Sequence, residues 1–458
     1  MDLELGNIYE GKIVDFTHDG NGVLKINNRV VFVDGGVIGD IVKIKIDELK
    51  KSIAIGTIQE TLTYSKDRVE YFFNLDGLPG GVPLIYYAYD KQLEWKTEKV
   101  KNDFKKIAKI DINVKPTIGM PYPFRYRNHT QVPVSKVEGK VETGYFKQKS
   151  YEIVPIEEDY LQDEIGDSIL ESIKVWMEDF GIEPYDRVSK TGLVKHIGIR
   201  TNENHEAMVI LVTNSSEIPH SYELVHRLIK EAPGVISVYQ NINLQDGSFT
   251  YGKDYNLLFG KETLKDYIGD LQFEISPNSF FQVNREQTKV LYKIAKNYLN
   301  GTKNDIVFDV FCGIGTISLY IADAVKQVIG IELVKQAVID AEKNAKINNI
   351  NNVEFSYGKA EEVFPKLIRE GKQPNKIILD PPRKGCERAL LDEIVKSKLE
   401  TIVYISCNPS TLARDVKVLI DGGYELKEVQ PVDMFPHSAH VESIILMTYC
   451  GSKENNRV

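Results

Sequence analysis

Cysteine is scarce in this chain, with four in 458 residues at positions 312, 386, 407 and 450. One of them stands where a reactive group belongs. The segment TIVYISCNPSTLARDV (401–416) reads as a strand over 401–406 ending in Cys407, then a helix opened by Pro409. A thiol held at a helix N-terminus has its pKa lowered, which makes Cys407 the candidate nucleophile. Thirty-five residues on, FPHSAHVES brings His437, His440 and Glu442 to the start of another strand, with Glu442 as the candidate base.

A second set of residues suits a nucleoside. IVFDVFCGIGTISLYIA (306–322) reads as strand, tight turn and helix. Gly313 and Gly315 allow close backbone approach, and the helix that follows aims its amides at the turn. The next strand ends in Glu332, where an acid accepts both ribose hydroxyls. Ser318 holds the place of the third glycine of a dinucleotide fingerprint, so a pyrophosphate and an NAD-dependent reading are disfavoured. S-adenosylmethionine fits better. Asp309 would suit its cationic methionine end, and GKAEEVF (358–364) would lie at the adenine edge. IILDPPRKG (377–385) ends a further strand at Asp380, a rigid floor between cofactor and target base.

A thiol and a carboxylate beside a methyl donor point to C5 methylation of a pyrimidine. C5 is not nucleophilic until a thiolate adds at C6; the methyl group is then taken up and a base removes the C5 proton. The target must leave any stack, which calls for an aromatic platform. Phe280 and Phe281 in SPNSFFQVN (276–284) are candidates, one of them expected in the core, with Gln282 available for amide contacts.

The elements around these residues divide the chain in three. Residues 1–60 read as short strands with Asn-Gly and Gly-Gly turns, a small closed barrel. Residues 61–270 mix strands and helices, with helical patterns at 90–108, 163–180 and near 220–231. From 271 to 458, strands at 306–311, 328–332, 353–357, 376–380, 401–406 and 442–449 alternate with helices. That predicts a doubly wound, mostly parallel α/β sheet with its ligands at the strand C-terminal ends. The net charge of -9 excludes a uniformly basic coat, yet residues 91–150 hold 14 Lys and Arg against 6 Asp and Glu. Within that window PYPFRYRNH (121–129) interleaves Phe124 and Tyr126 with Arg125 and Arg127, stacking surfaces beside phosphate-directed charge. Cysteine usage fits neither a disulfide scaffold nor a zinc site. No run approaches a membrane span of about 20 apolar residues, and the N-terminus lacks a signal-peptide pattern. A cytoplasmic protein is expected, without membrane attachment.

The motifs SPNSFFQVN, DVFCGIGTISL, GIELV, LDPPRKG, YISCNP and FPHSAHVE resemble, in order and spacing, the RNA 5-methyluridine (uracil-C5) methyltransferase family, above all its bacterial 23S ribosomal RNA members. The resemblance implies a class I Rossmann-like S-adenosylmethionine methyltransferase domain behind an N-terminal TRAM barrel and a central α+β RNA-binding domain. It implies Cys407 as nucleophile and Glu442 as base. Its cofactor positions fall on Gln282, Phe311, Glu332 and Asp380, with Thr316 near the methionine end and the turn glycines Gly313 and Gly315 between them. Phe280 becomes the base-stacking aromatic, and a monomer acting on 23S rRNA uridine 747, uridine 1939 or both is expected. YRNHTQ (126–131) matches a central-domain stretch with His129 in place of lysine. The helix from about 90 is implied to pack on the catalytic domain. Many relatives carry a [4Fe-4S] cluster on cysteines after the barrel; here FFNLDGLPGGV (72–82) holds none, so no cluster and no metal is expected. The alternatives are a transfer RNA T-loop uridine methyltransferase, against which the barrel argues, a cytosine-C5 RNA methyltransferase, or a catalytically silent RNA-binding assembly factor.

Overall fold

Runs of Val and Ile broken by residues tolerant of positive φ build the N-terminal region. The structure is a computed structural model that describes residues 3–71, 81–147, 150–245, 247 and 250–451. Strands β1 (Ile8–Phe16), β2 (Gly22–Ile26), β3 (Arg29–Val33), β4 (Ile41–Leu49) and β5 (Ile53–Thr63) close into a barrel in the order β1-β2-β3-β5-β4. Asn27 and Asn28, at φ 50° and 63°, make the tight β2–β3 turn. Alternate residues such as Ile13, Leu24, Val31, Val42 and Ile44 fill the barrel.

Helix α1 (Tyr89–Asp103) follows and ends in a π-helical turn over Phe104–Ala108, finer than the single helix expected over 90–108. Its face does not stay with its sequence neighbours. Val100, Phe104 and Ala108 pack in one core with Phe308, Leu379 and Leu412 of the C-terminal region.

The central sheet contains β6 (His129–Val137), β7 (Lys140–Phe146), β8 (Ile153–Pro155), β9 (Val194–Thr201), β10 (Ala207–Thr213), β11 (Val235–Ile242) and β12 (Asp254–Gly260), in the order β12-β11-β10-β9-β6-β7-β8. Helices α2 (Glu164–Asp179) and α3 (Ser221–Glu231) cover one face, burying Val132, Val134, Ile197 and Ile199 against Ile173, Trp176 and Leu224. A hairpin, β13 (Leu264–Ile268) and β14 (Leu271–Ile275), then packs Ile268, Phe273 and Ile275 onto the C-terminal core. Hydrophobic continuity with that core therefore begins before residue 271.

The C-terminal region runs α4 (Arg285–Leu299), β15 (Ile306–Val310), α5 (Thr316–Ile321), β16 (Gln327–Glu332), α6 (Lys335–Ile347), β17 (Val353–Tyr357), α7 (Ala360–Arg369), β18 (Lys376–Leu379), α8 (Arg388–Ser397), β19 (Thr401–Ser406), α9 (Pro409–Asp421), β20 (Tyr424–Val432) and β21 (Glu442–Tyr449). The sheet order is β17-β16-β15-β18-β19-β21-β20, parallel through β19 and antiparallel at β21 and β20. The central strands are buried on both faces, as parallel strands must be. Strand β20 was not expected: a bulge between Leu426 and Glu428 and alternating charge at its start obscure its period. The order reverses between β15 and β18, the switch point where such sheets bind ligands.

Candidate active site

The predicted residues converge on the C-terminal ends of β16, β15, β18 and β19. Phe311 takes φ 72°, a strained conformation for a large side chain, and Gly313 and Gly315 follow at φ 54° and 81°. A Cβ on Gly313 would meet nothing, so that side of the turn is open, whereas a Cβ on Gly315 would sit 2.9 Å from the Phe355 ring. Glu332 is fixed at both oxygens, accepting from the Gly313 amide at 3.1 Å and the Val334 amide at 2.7 Å. Leu333 and Val334 beside it stay more than half exposed, an apolar shelf at the strand tip. Thr316 pairs its hydroxyl with Tyr292 at 2.7 Å.

Asp309 lies fully inside, beneath the turn. Ser318 donates to its Oδ2 at 2.6 Å, which gives the residue in the third-glycine place a structural reason. The other oxygen, Oδ1, is buried without a partner, and burial pushes the carboxyl up to about 6. Asp380 follows β18 and is pushed up to about 7 by burial and by the charge of Asp309.

Register sets the chemistry. Ser406 pairs with Ser443 across β19 and β21, so the next residue outward on each strand, Cys407 and Glu442, stand side by side. Glu442 is buried, its Oε2 has no partner, and burial followed by the Asp380 charge raises it to about 8. The thiol expectation is corrected here. Cys407 precedes the Asn408 cap of α9, but partial burial, then Glu442, push it up to about 11 rather than down. Arg383, exposed, is the cation that opposes both shifts. It sits in the quoted DPPRKG motif, yet its role was not drawn from it. The Arg383 carbonyl accepts from Asn408 Nδ2 at 3.1 Å and Thr411 Oγ1 at 3.2 Å, which ties that loop to the cysteine turn.

Segment 433–441, which delivers Glu442, is held by all three regions. Lys96 donates to Asp433 at 2.5 Å with both side chains fully buried, and Tyr89 donates to the same carboxylate at 2.9 Å. Gln92 contacts His437 Nδ1 at 3.2 Å and accepts from its amide at 3.0 Å. Phe124 stacks on the His437 ring at 4.6 Å, and Tyr126 donates to the Pro436 carbonyl. Ala439 packs with Phe16 and Val37 of the barrel. Burial holds His437 down at about 3 and His440 at about 4, so both are neutral scaffolding at ordinary pH.

Phe280 is 69% exposed, whereas Phe281 is in the core. Gln282 is buried, with Asn128 donating to its carbonyl at 2.9 Å. Arg125 and Arg127 are not phosphate-directed. Arg125 pairs with Asp167 at 2.8 Å and donates to the Asp159 carbonyl. Arg127 turns inward over Tyr126, its Nε buried. His129 is likewise internal, stacked with Tyr251. The basic window thus spends much of its charge inside the molecule, Lys96 included.

Among the described residues, no group of three or more His, Cys, Asp and Glu is placed to hold a metal ion, and no helix is long and apolar enough to cross a membrane. Residues 72–80 of the cysteine-free stretch lie outside the described residues.

A doubly wound sheet with a Gly turn after its first strand and an acid at the tip of the next has the fold of S-adenosylmethionine-dependent methyltransferases. Residues 256–449 match the tRNA (Uracil-5-)-methyltransferase family and residues 3–58 the TRAM domain. An "Uncharacterized RNA methyltransferase" of Clostridium tetani is 42% identical over 95% of each chain, and one of Enterococcus faecalis is 41% identical over 97% of this chain and 98% of its own. The crystal structure of Pyrococcus abyssi tRNA (uracil-54, C5)-methyltransferase with S-adenosyl-L-homocysteine aligns with TM-score 0.77 and 27% identity, over 96% of this chain and 100% of that one. The protein belongs to the RNA uracil-C5 methyltransferase family, in its TRAM-bearing form.

Proposed function

We propose that the protein transfers a methyl group from S-adenosyl-L-methionine to C5 of a uridine in 23S rRNA, at position 747, 1939 or both. The observation that carries the chemistry is the Ser406–Ser443 register, which sets Cys407 beside Glu442 at the ends of β19 and β21. The bare buried oxygen of Asp309, the pinned carboxylate of Glu332 and the open face of Gly313 fit the cofactor. Gln282, Phe311, Gly313, Gly315, Thr316, Glu332 and Asp380 would hold it. When bound, it supplies an electrophilic methyl group.

Cys407 gives its proton to water, its thiolate forms a bond to C6 of uracil, and the C5–C6 π pair becomes an enolate, which makes C5 nucleophilic. Once C5 has taken the methyl group, Glu442 removes the C5 proton. The electron pair left behind restores the C5–C6 double bond and expels the thiolate. Arg383 favours the charged forms of both groups, and Phe280 stacks on the extruded base. Burial favours the neutral forms of the thiol and of Glu442 in the free protein, so Glu442 serves as base only in its ionised form.

The 23S target rests on the motif set. A T-loop uridine of tRNA is the second reading, favoured by the Pyrococcus enzyme, whose alignment spans this chain's barrel as well. Methyl transfer from labelled cofactor to 23S and tRNA transcripts decides between them. Labelling of 23S RNA at a uridine C5 is expected, and tRNA labelling alone would overturn the target. A 5-fluorouridine RNA should trap a covalent adduct with the wild type and none with Cys407→Ala. Labelling that survives in Cys407→Ala would overturn the mechanism.

A further inference from the structure

The central sheet has one face covered by α2 and α3 and another that no helix covers among the described residues. On β9, residues alternate between the two. Ile197 and Ile199 enter the core under the helices, while His196, Gly198 and Arg200 share the opposite face. Arg200 donates to the Pro277 carbonyl at 3.3 Å and to the Ser279 carbonyl at 2.6 Å, gripping the segment that presents Phe280. Four residues away along the same strand and face, His196 borders a cavity of about 250 Å³.

That cavity is built as an aromatic and cationic box. Phe146 meets the His196 ring edge-on at 6.3 Å and Tyr151 at 6.0 Å. The Arg187 guanidinium lies 4.4 Å over the Tyr151 ring, and Lys195 lies 4.2 Å over Tyr185. His196 Nδ1 is buried without a hydrogen-bond partner. Burial, then Arg187 and Lys195, hold the imidazole down at about 4, so at neutral pH it offers a neutral donor–acceptor edge. Two exposed features mark the rim: Tyr151 at 69% and Val188 at 92%. Flat π faces, a guanidinium and one unfilled polar atom are what a heterocyclic base needs: stacking on its faces and a hydrogen bond on its edge. A structural reading of these residues leaves the bare His196 nitrogen and the cavity unexplained.

We infer that this box receives a second, unpaired base of the RNA whose target uridine stacks on Phe280. The inference rests on the proposed RNA substrate. The spacing supports it: four residues of strand span about 13 Å, the rise of about four stacked nucleotides. The enzyme would thus hold its substrate at two points on one rigid strand, which turns sequence distance in the RNA into specificity.

Photo-crosslinking of 4-thiouridine-substituted 23S and tRNA transcripts, read by peptide mass, tests it alongside methyl-transfer kinetics. Crosslinks to peptides holding Phe146, Tyr151 or His196 are expected. Tyr151→Ala should raise KM for RNA roughly tenfold with a far smaller change in kcat, and Tyr151→Phe should restore it. Tyr222→Ala, an exposed ring on α3 across the sheet, should leave KM as it was. Absence of box crosslinks, with Tyr151→Ala and wild type equal in KM, would overturn the inference while methylation stands. If neither transcript is methylated, the proposed function fails, and the crosslinks still decide the box. Titration with free uridine and adenosine monophosphates separates a loose-nucleotide site: a nucleotide that fills the box without being displaced by RNA overturns the RNA assignment.

Discussion

The edge of the catalytic sheet and the helix-free face of the central sheet both gather polar side chains, by opposite means. At the catalytic edge, burial strips charge from the acids and the thiol: Asp380, Glu442 and Cys407 are all pushed up. On the central face, the Arg187 guanidinium and the Lys195 ammonium lie over the rings of Tyr151 and Tyr185. The difference teaches how one enzyme divides its work. Titratable groups at the catalytic strands are placed where charge is costly, whereas the cations of the central face are placed against π faces, which attract them.

The largest effect that would break this comparison is loss of the base. Glu442→Gln should cut turnover by a factor on the order of 10²–10⁴ and accumulate the covalent RNA adduct on denaturing gels; normal product release would contradict its role. The same substitution should stabilise the free protein. A carboxyl whose folded value is raised favours the fold below its unfolded value, and that contribution disappears as pH rises through the folded one. With Glu442 at about 8, thermal stability should fall between pH 5 and about 8. Glu442→Gln should flatten that fall and gain roughly 2–4 kcal/mol at the alkaline end; an unchanged melting profile would show the acid is not held neutral.

Next in size is the scaffold. Asp433→Asn or Lys96→Ala leaves one buried partner bare and should cost about 3–5 kcal/mol in urea unfolding, whereas a paired replacement by Leu and Met should be much milder. Smallest is Arg383→Gln. Because the cation favours both charged groups, its loss should move the rising limb of the kcat/KM pH profile alkaline by under about one unit; an acid shift would reverse its assigned influence. Iron and sulfide analysis should find no stoichiometric metal, since the chain has no cysteine between residues 1 and 311.

The catalytic strands were readable because parallel strands buried on both faces are continuous apolar runs, as in Thr401–Ser406. The motifs also singled out Cys407 and Glu442, which the β19–β21 register sets side by side. What sequence could not carry was direction. Arg125 and Arg127 have the composition of an RNA surface, but the chain turns both toward their own domain, where Asp167 and Tyr126 meet them. Neither could local sequence supply the thiol's surroundings. A helix N-terminus lowers a thiol's pKa, but burial, and then Glu442 from a strand thirty-five residues later, outweigh it. The aromatic box is hidden for the same reason: its rings come from separate strands and a loop.

The clasp on segment 433–441 also bears on how the chain becomes an enzyme. Lys96 and Asp433 are 337 residues apart, and closing so long a loop is entropically costly and late. On the ribosome, the barrel and α1 emerge with the clasp's first half and must wait for nearly the entire chain before its second half arrives. Glu442 lies just past Asp433, so a nascent chain that stops short of residue 433 lacks both the second half of the clasp and the carboxyl that the clasp positions.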